Sequence, residues 1–151
     1  MTYYDLNIIS NFDDWFNSFN PKPTTEEEKL KLLIINHKDA YIENGILNPK
    51  AVKEIAKKRN TYLLCILPEE FDIKRLCPSL DFERIVTVLK VFKHNIILWA
   101  EMSGIPINKV HFTNKYDYLD YCYNRDSFIT TDKTLADEWS ELGGVGIVKE
   151  K

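Results

Sequence analysis

The stretch that most constrains the fold is the continuous apolar run Tyr62–Leu67, YLLCIL, which ends at Pro68. Such a run is typical of a strand buried on both faces, as in a parallel sheet whose two faces are covered by helices. Four further candidate strands alternate with helical patterns, at Thr2–Leu6, Val110–Thr113, Ser127–Thr131 and Val145–Val148. The sequence therefore predicts an α/β three-layer sandwich with a mainly parallel sheet of about five strands.

Helical patterns separate these strands. Apolar residues recur at helical spacing over Phe82–Met102, and a further helix is predicted over Lys133–Leu142. The dipeptide Asn48-Pro49 is a typical helix start, with Asn as the cap and Pro in the first turn. A chain of 151 residues fits a single domain, 1–151, in which residues 20–48 form a small, mainly helical insertion or cap.

The composition narrows the classes of partner. The formal net charge is −3 and no block of Lys or Arg stands out, whereas nucleic-acid-binding proteins usually carry a basic face, so nucleic acid is a disfavoured partner.

No apolar run approaches the ~20 residues of a membrane span. The N-terminus lacks the features of a signal peptide, and the three cysteines lack CxxC spacing, which together favour a reducing cytoplasm. Abundant Asn, Ile, Lys and Tyr indicate a phage or an AT-rich microbe as the source.

A carboxylate follows the first candidate strand. The stretch Tyr3–Trp15, YYDLNIISNFDDW, passes from a β-prone start to Asp5, then to a polar turn and an aromatic segment. In an α/β protein, a carboxylate at the end of the first strand lies on the ligand-binding edge of the sheet. Asp5 is therefore the first candidate site residue.

Four stretches together resemble motifs of the haloacid-dehalogenase-like (HAD-like) superfamily, of the 5′-nucleotidase and deoxyribonucleotidase type that includes phage-encoded members. YYDLNIISNFDDW resembles the first motif, a strand followed by DxDGVxxDF, and TYLLCILPEE resembles the second, a strand ending in Thr or Ser. VHFTNKYDYL resembles the third, a strand followed by the site lysine. SFITTDKTLADEWSELGGVGIV resembles the fourth, a strand ending in two acids, then a helix with Trp, Gly-Gly and a last strand.

The resemblance implies a Mg²⁺-dependent phosphohydrolase that acts on nucleotides. In the family, the first Asp attacks phosphorus to form a phosphoaspartate, and a second Asp transfers the proton. The first Asp and the fourth-motif acids supply the hard oxygen ligands that Mg²⁺ requires. By this match Asp5 is the nucleophile and a metal ligand, Lys115 binds phosphate, and Asp132 is one of the metal-binding acids.

Several motif positions depart from the family pattern. Asn7 stands at the position of the acid/base, where a carboxamide cannot transfer the proton, and loss of such a group typically costs about 10²–10⁴ in rate. Ile8 replaces a glycine that lets the backbone turn closely. Cys65 or Ile66 replaces the phosphate-binding hydroxyl, and a thiol is a weak donor. Thr131 replaces the second metal-binding acid.

Each matched residue also has a structural interpretation. Asp5 could end a strand and cap a turn, Lys115 could be a solvated lysine, and Asp132 is a typical N-cap for a helix that begins at Lys133. Cys65 is typical of a small core residue. A rival family is the PIN-type nucleases, which the ITTD strand end resembles, but their metal site needs several carboxylates and the strand TYLLCIL supplies none.

The sequence therefore predicts functions from different classes. The first is a catalytically degenerate pseudo-phosphatase that needs no cofactor and binds another protein, such as a phage-encoded inhibitor or modulator of a host enzyme. The alternative is a weak Mg²⁺-dependent 5′-nucleotidase that works through Asp5, and a third is a purely structural role, for instance as a homodimer. The aromatic segments Asp13–Phe16 and Tyr116–Tyr123 are the candidate interfaces, since exposed Tyr and Trp are common in interfaces.

Overall fold

A computed structural model describes residues 1–6, 23–32 and 49–149. It contains five strands, which are β1 (Thr2–Asp5), β2 (Thr61–Ile66), β3 (Val110–Thr113), β4 (Ser127–Thr130) and β5 (Val145–Val148). They form one sheet in the order β3-β2-β1-β4-β5, and every neighbouring pair is parallel. The predicted α/β class with a five-stranded parallel sheet is confirmed.

Four helices lie wholly within the described residues: α1 (Pro49–Lys57), α2 (Glu70–Leu76), α3 (Phe82–Met102) and α4 (Lys133–Glu141). Short 3₁₀ helices lie at Ile107–Lys109 and Tyr118–Tyr121. Of the segment 20–48 that was predicted as a helical cap, residues 26–32 are helical, and 20–22 and 33–48 lie outside the described residues. Within the described ranges, no helix is both long enough and apolar enough to cross a bilayer.

Helix α2 is an element that the sequence patterns did not predict. Its seven residues are too few for a clear apolar period. Its start is fixed instead by a capping box, in which Asp72 accepts a hydrogen bond from the backbone N–H of Glu69 at 2.9 Å. Both capping residues are acidic, so the familiar Ser or Thr signal at the helix start is missing.

The core lies on both faces of the sheet, as the alternation of side chains along each strand requires. On one face, Tyr4, Leu63 and Cys65 pack against α1 and α3. On the other face, Tyr3, Leu64, Ile66 and Phe128 pack against Tyr118 and against Trp139 of α4. Full burial of one such large apolar side chain contributes about 1.5–3 kcal/mol, so these two layers hold the sheet and its helices together.

Candidate functional site

The centre of the sheet is the point where its strand order reverses. From β1 the chain builds outward to β2 and β3, and it then crosses back to place β4 on the opposite side of β1. Ligands of parallel α/β proteins bind at the carboxyl ends of the strands at such a switch point. Asp5 is the last residue of β1 and Thr130 is the last residue of β4. We call Asp5, Thr130 and Asp132 the switch-point site.

Asp5 is a fully buried carboxylate with a hydroxyl partner. Its side chain has 0% exposure, as has that of Thr130. The Thr130 hydroxyl donates a hydrogen bond to Asp5 Oδ2 at 2.7 Å, and the same hydroxyl oxygen accepts one from the backbone N–H of Asp132 at 3.0 Å. A buried carboxylate is costly unless it is hydrogen-bonded, so Thr130 stabilises Asp5 at this position.

Thr130 was not among the predicted site residues. The alternation along β4 is the signal that could have found it, because Phe128 packs on the face of the sheet that Tyr3 shares. Two residues further along each strand, Thr130 and Asp5 therefore lie on that same face, on neighbouring strands. The family pattern drew attention to Thr131 and Asp132 instead.

Asp132 serves as the N-cap of α4. Its Oδ1 accepts hydrogen bonds from the backbone N–H groups of Thr134 at 2.9 Å and Leu135 at 3.2 Å. This is the structural interpretation that the sequence left open. The carboxylate satisfies donors that the first helical turn would otherwise leave unpaired, and it lies at the positive end of the helix dipole.

Lys115 is directed toward α2. Its ammonium lies 3.8 Å from Asp72 Oδ1, and Asp72 has a side-chain exposure of only 2%. The ammonium also lies 5.2 Å from the centre of the Tyr116 ring. These contacts place Lys115 against the helix that follows β2, whereas the hydroxyl partner of Asp5 comes from β4 on the other side of β1.

Cys65 is part of the hydrophobic core. It has 0% exposure and packs in the cluster that contains Tyr4, whereas Asp5 follows the alternate face that begins with Tyr3. Burial raises the pKa of the Cys65 thiol well above its usual value, and the nearby Asp5 carboxylate raises it further. The thiol is therefore neutral and shielded from solvent, which leaves it unsuited to hold a phosphate group.

Two predicted features lie outside the described residues, namely the motif positions Asn7 and Ile8 and the aromatic segment Asp13–Phe16. The other predicted interface, Tyr116–Tyr123, is described. Within it Tyr118 is fully buried, and its hydroxyl donates to Glu138 at 2.6 Å. Tyr116 and Tyr123 are exposed, with 54% and 74% of their surface accessible.

The helix ends near this edge of the sheet already hold carboxylates. Helix α2 begins with the Glu69–Asp72 capping box, α3 with Asp81, which accepts from Arg84 N at 2.9 Å, and α4 with Asp132. Phosphate binds at helix N-termini through free backbone N–H groups. At these three helices the chain's own carboxylates take up N–H groups and add negative charge, so the helix ends disfavour a phosphate.

The Mg²⁺ that the family resemblance implies finds a poor donor set among the described residues. No cluster of three or more His, Cys, Asp or Glu side chains in these ranges is arranged to hold a metal ion. Asp5 accepts the Thr130 hydroxyl, and Asp132 accepts two backbone N–H groups. An octahedral Mg²⁺ site needs oxygen lone pairs directed at the ion, and these hydrogen bonds compete for them.

Fold and site together define a parallel α/β domain with a hydrogen-bonded carboxylate at its switch point. Comparisons with known proteins assign it to no family: no family model, no curated protein and no solved structure matches the chain.

Proposed function

We propose that the protein is a catalytically degenerate HAD-like pseudo-phosphatase that acts by binding another protein. The observation that carries this proposal is the hydrogen bond from Thr130 to the fully buried Asp5. A nucleophilic carboxylate must present an oxygen to phosphorus, at about 3–3.5 Å and in line with the leaving group. Asp5 instead accepts a hydrogen bond from a neighbouring strand and has no exposed surface.

The other matched residues support the same proposal. Asp132 caps α4, Lys115 pairs with Asp72, and Cys65 lies in the core. Each of these side chains has a structural partner that accounts for its presence. Asn7 adds to this, because its carboxamide stands where the resemblance requires a proton donor.

Exposed aromatic side chains favour a protein partner. Phe71 and Tyr116 have 53% and 54% of their surface accessible, and their ring centres lie 5.4 Å apart. Aromatic side chains are enriched among the residues that dominate binding energy in protein interfaces. The composition favours a phage or an AT-rich microbe as the source, so a host enzyme is the partner class that this proposal names.

A phosphatase assay tests the catalytic half of the proposal. The purified protein is incubated with nucleoside monophosphates and millimolar Mg²⁺, and released phosphate is measured beside the Asp5→Ala variant. We expect no release above the level of that variant. Mg²⁺-dependent release that Asp5→Ala abolishes would replace the proposal with the weak 5′-nucleotidase. That alternative is favoured by one observation, the location of Asp5 at the switch point.

The binding half needs a separate experiment. The immobilised protein is exposed to extracts of candidate hosts, and bound proteins are quantified against the amount of immobilised chain. We expect one partner at a stoichiometric ratio, whose enzymatic activity changes when the pure protein is added. Failure to recover any stoichiometric partner from these extracts would count against a binding protein, whatever the phosphatase assay shows.

A further inference from the structure

Three consecutive residues of the segment after β3 contact the start of α2. Asn114, Lys115 and Tyr116 each contact one residue there, in the pairs Asn114–Glu69, Lys115–Asp72 and Tyr116–Phe71. We call this set of pairs the β3–α2 clasp. The Asn114 amide donates to the Glu69 carboxylate, and its Oδ1 accepts from the backbone N–H groups of Tyr116 and Asp117, both at 2.8 Å.

The clasp contains two exposed aromatic rings that contact each other. Phe71 and Tyr116 are more than half exposed, yet each is attached to a segment that the neighbouring polar pairs fix. Side chains that are already ordered in the free protein lose less conformational freedom when a partner binds. An exposed aromatic pair whose rings contact each other is therefore a favourable anchor for another molecule.

Three depressions are lined in part by residues of the clasp, and neighbouring depressions share residues. The first, of 360 Å³, is lined by Asp117 and Asp120, and it shares residues 112–114 with the second, of 240 Å³. The second contains Glu69 and Glu70, and Glu70 also lines the third, of 270 Å³. The third is mostly apolar and is lined by Phe71, Phe82, Ile85, Lys74 and Glu70. We call the three together the clasp groove.

Acidic side chains dominate the polar part of the clasp groove. Four carboxylates line its first two depressions: Glu69, Glu70, Asp117 and Asp120. None of them forms an ion pair with another described residue. Glu69 and Asp117 accept hydrogen bonds from the Asn114 amide, which is neutral and does not balance their charge.

Two lysines, Lys74 and Lys93, also line the groove, so its four carboxylates outnumber its basic side chains by two. Lys115 pairs with Asp72 at 3.8 Å, and Lys74 donates to the backbone carbonyl of Leu80 at 2.5 Å. The Lys93 ammonium lies 5.8 Å from the centre of the Phe112 ring, a cation–π contact. The groove thus offers carboxylates to a ligand at one end and an apolar depression at the other.

We propose that the clasp groove binds an extended basic segment of a partner protein. Lys or Arg side chains of that segment pair with the four carboxylates, and one large apolar side chain enters the depression between Phe71, Phe82 and Ile85. Complementary charge guides the encounter and sets the direction of the segment, while the apolar side chain supplies most of the affinity. The inference rests on the proposed binding function and names the chemistry of the partner.

Titration with a defined peptide tests the inference. The full chain, labelled with ¹⁵N, is titrated with acetyl-Gly-Lys-Lys-Trp-Lys-Gly-amide, and amide shifts are followed by NMR. The matched control peptide carries Glu in place of each Lys. We expect shifts confined to residues 69–74, 82–85 and 112–120, and binding of the basic peptide about tenfold or more tighter than that of the acidic one at low salt. Equal binding of the two peptides, shifts elsewhere, or no shifts at millimolar peptide would each overturn the inference.

Two variants refine the test. The double variant Glu70→Lys with Phe71→Ser should weaken the basic peptide about tenfold or more, because it reverses a groove charge and removes an apolar contact. Met102→Ser is the control, since Met102 is 88% exposed at the end of α3 and lines none of the three depressions. The substitutions in the double variant and in the control all fall on side chains with exposed surface. Thermal unfolding checks that each of the two variants folds. Unchanged peptide affinity in the folded double variant contradicts the groove assignment.

The two proposals fail in different ways. A partner recovered from host extracts that binds the double variant as tightly as the original protein would place its interface elsewhere, and would overturn only the clasp groove. Phosphate release that depends on Asp5 would overturn the pseudo-phosphatase and leave the peptide result standing. The pair of experiments therefore separates the site of binding from the absence of catalysis.

Discussion

The hydroxyl of Thr130 donates a 2.7 Å hydrogen bond to the carboxylate of Asp5, although 125 residues separate the two in the chain. Both side chains are fully buried, and they join the carboxyl ends of β1 and β4. Because the Thr130 oxygen also accepts from the backbone N–H of Asp132, it links the central strand to the start of α4. The carboxylate that the family resemblance matches to a nucleophile thus takes part in the architecture of the sheet.

Replacing Thr130 with valine should reveal this structural role. Thr130→Val keeps the shape of the side chain but removes both the donor to Asp5 and the acceptor for Asp132 N–H. Loss of a hydrogen bond to a buried charged group typically costs about 1.5–3 kcal/mol. We expect the free energy of unfolding, measured with urea, to fall by about that amount.

Two variants control this measurement. Thr130→Ser keeps the hydroxyl and should retain most of the stability. Thr131→Val makes the same chemical change one residue later, where the side chain is only partly buried, and should change stability by less than about 0.5 kcal/mol. If Thr130→Val proved as harmless as Thr131→Val, the Asp5–Thr130 bond would have no stabilising role.

The Tyr4–Glu54 pair should make stability fall at high pH. The Tyr4 hydroxyl donates to Glu54 at 2.6 Å. Burial is the larger cause and this hydrogen bond the second, and together they raise the pKa of Tyr4 from 10.0 to about 12. Because the folded protein holds this proton more tightly than the unfolded chain, the contribution is complete below pH 10 and is lost as the pH rises toward 12. Urea unfolding at a series of alkaline pH values measures the decline.

Tyr4→Phe isolates this effect from other tyrosines, since burial also raises the pKa of Tyr3 and Tyr118. The variant lacks the titrating hydroxyl, so its stability should decline less steeply than that of the original protein over the same alkaline range. Parallel declines in the two proteins would show that Tyr4 does not carry the predicted pH dependence.

Elements with a long, regular pattern could be predicted from the sequence with correct bounds. Helix α3 covers Phe82–Met102 as predicted, because 21 residues give the apolar period several turns in which to repeat. Strands β3 and β5 also have their predicted ends, and β4 ends one residue earlier, at Thr130. The local pattern specifies α3 because the residues that form this helix also bury its apolar face, with Ile85, Val88 and Phe92 among those buried.

Pairings between distant residues could not be predicted in this way. Thr130 meets Asp5, and Asp72 meets Lys115, only after the sheet has brought separate segments together. Nothing in the sequence around Asp72 distinguishes a buried carboxylate from a solvated one on a short helix. The resemblance to a phosphatase motif pointed to Lys115 and Asp132 but contained no information about the structural partners that each has here.

The two residues of the Asp72–Lys115 pair should contribute unequally to the free energy of unfolding, with Asp72 contributing more. Asp72 is buried and accepts from Glu69 N–H, whereas Lys115 has 37% of its side chain exposed. Asp72→Ala should lower the free energy of unfolding by about 1–2 kcal/mol, because it removes a capping carboxylate. Lys115→Met should cost less than about 1 kcal/mol, as is usual for a partly solvated ion pair.

Lys133→Met serves as the matched control for Lys115→Met. It removes a lysine whose 3.2 Å contact with Asp137 lies on the surface, where the two side chains are 82% and 59% exposed. We expect it to leave the urea midpoint nearly unchanged. A loss for Lys115→Met that equals the loss for Asp72→Ala would contradict the asymmetry and show that the ammonium, rather than the cap, stabilises α2.

Gly146 in β5 should tolerate no side chain, because α4 crosses the strand too closely there. A Cβ atom at this position would lie 2.1 Å from the backbone carbonyl oxygen of Ala136. Backbone atoms cannot move aside as a flexible side chain can, so α4 and β5 would have to separate. Gly146→Ala should lower the free energy of unfolding by about 3 kcal/mol or more, at the upper end for an overpacked site.

Gly104→Ala is the control for Gly146→Ala, because it introduces backbone strain without a steric clash. Gly104 has a φ of +81°, and a Cβ atom there would meet nothing within 4 Å. Its substitution should cost only the roughly 1–2 kcal/mol of a left-handed conformation. Urea unfolding of the two variants under identical conditions measures the difference. If Gly146→Ala cost no more than Gly104→Ala, then β5 could shift away from α4 without loss, and this edge of the sheet would be far less rigid than its packing against Ala136 indicates.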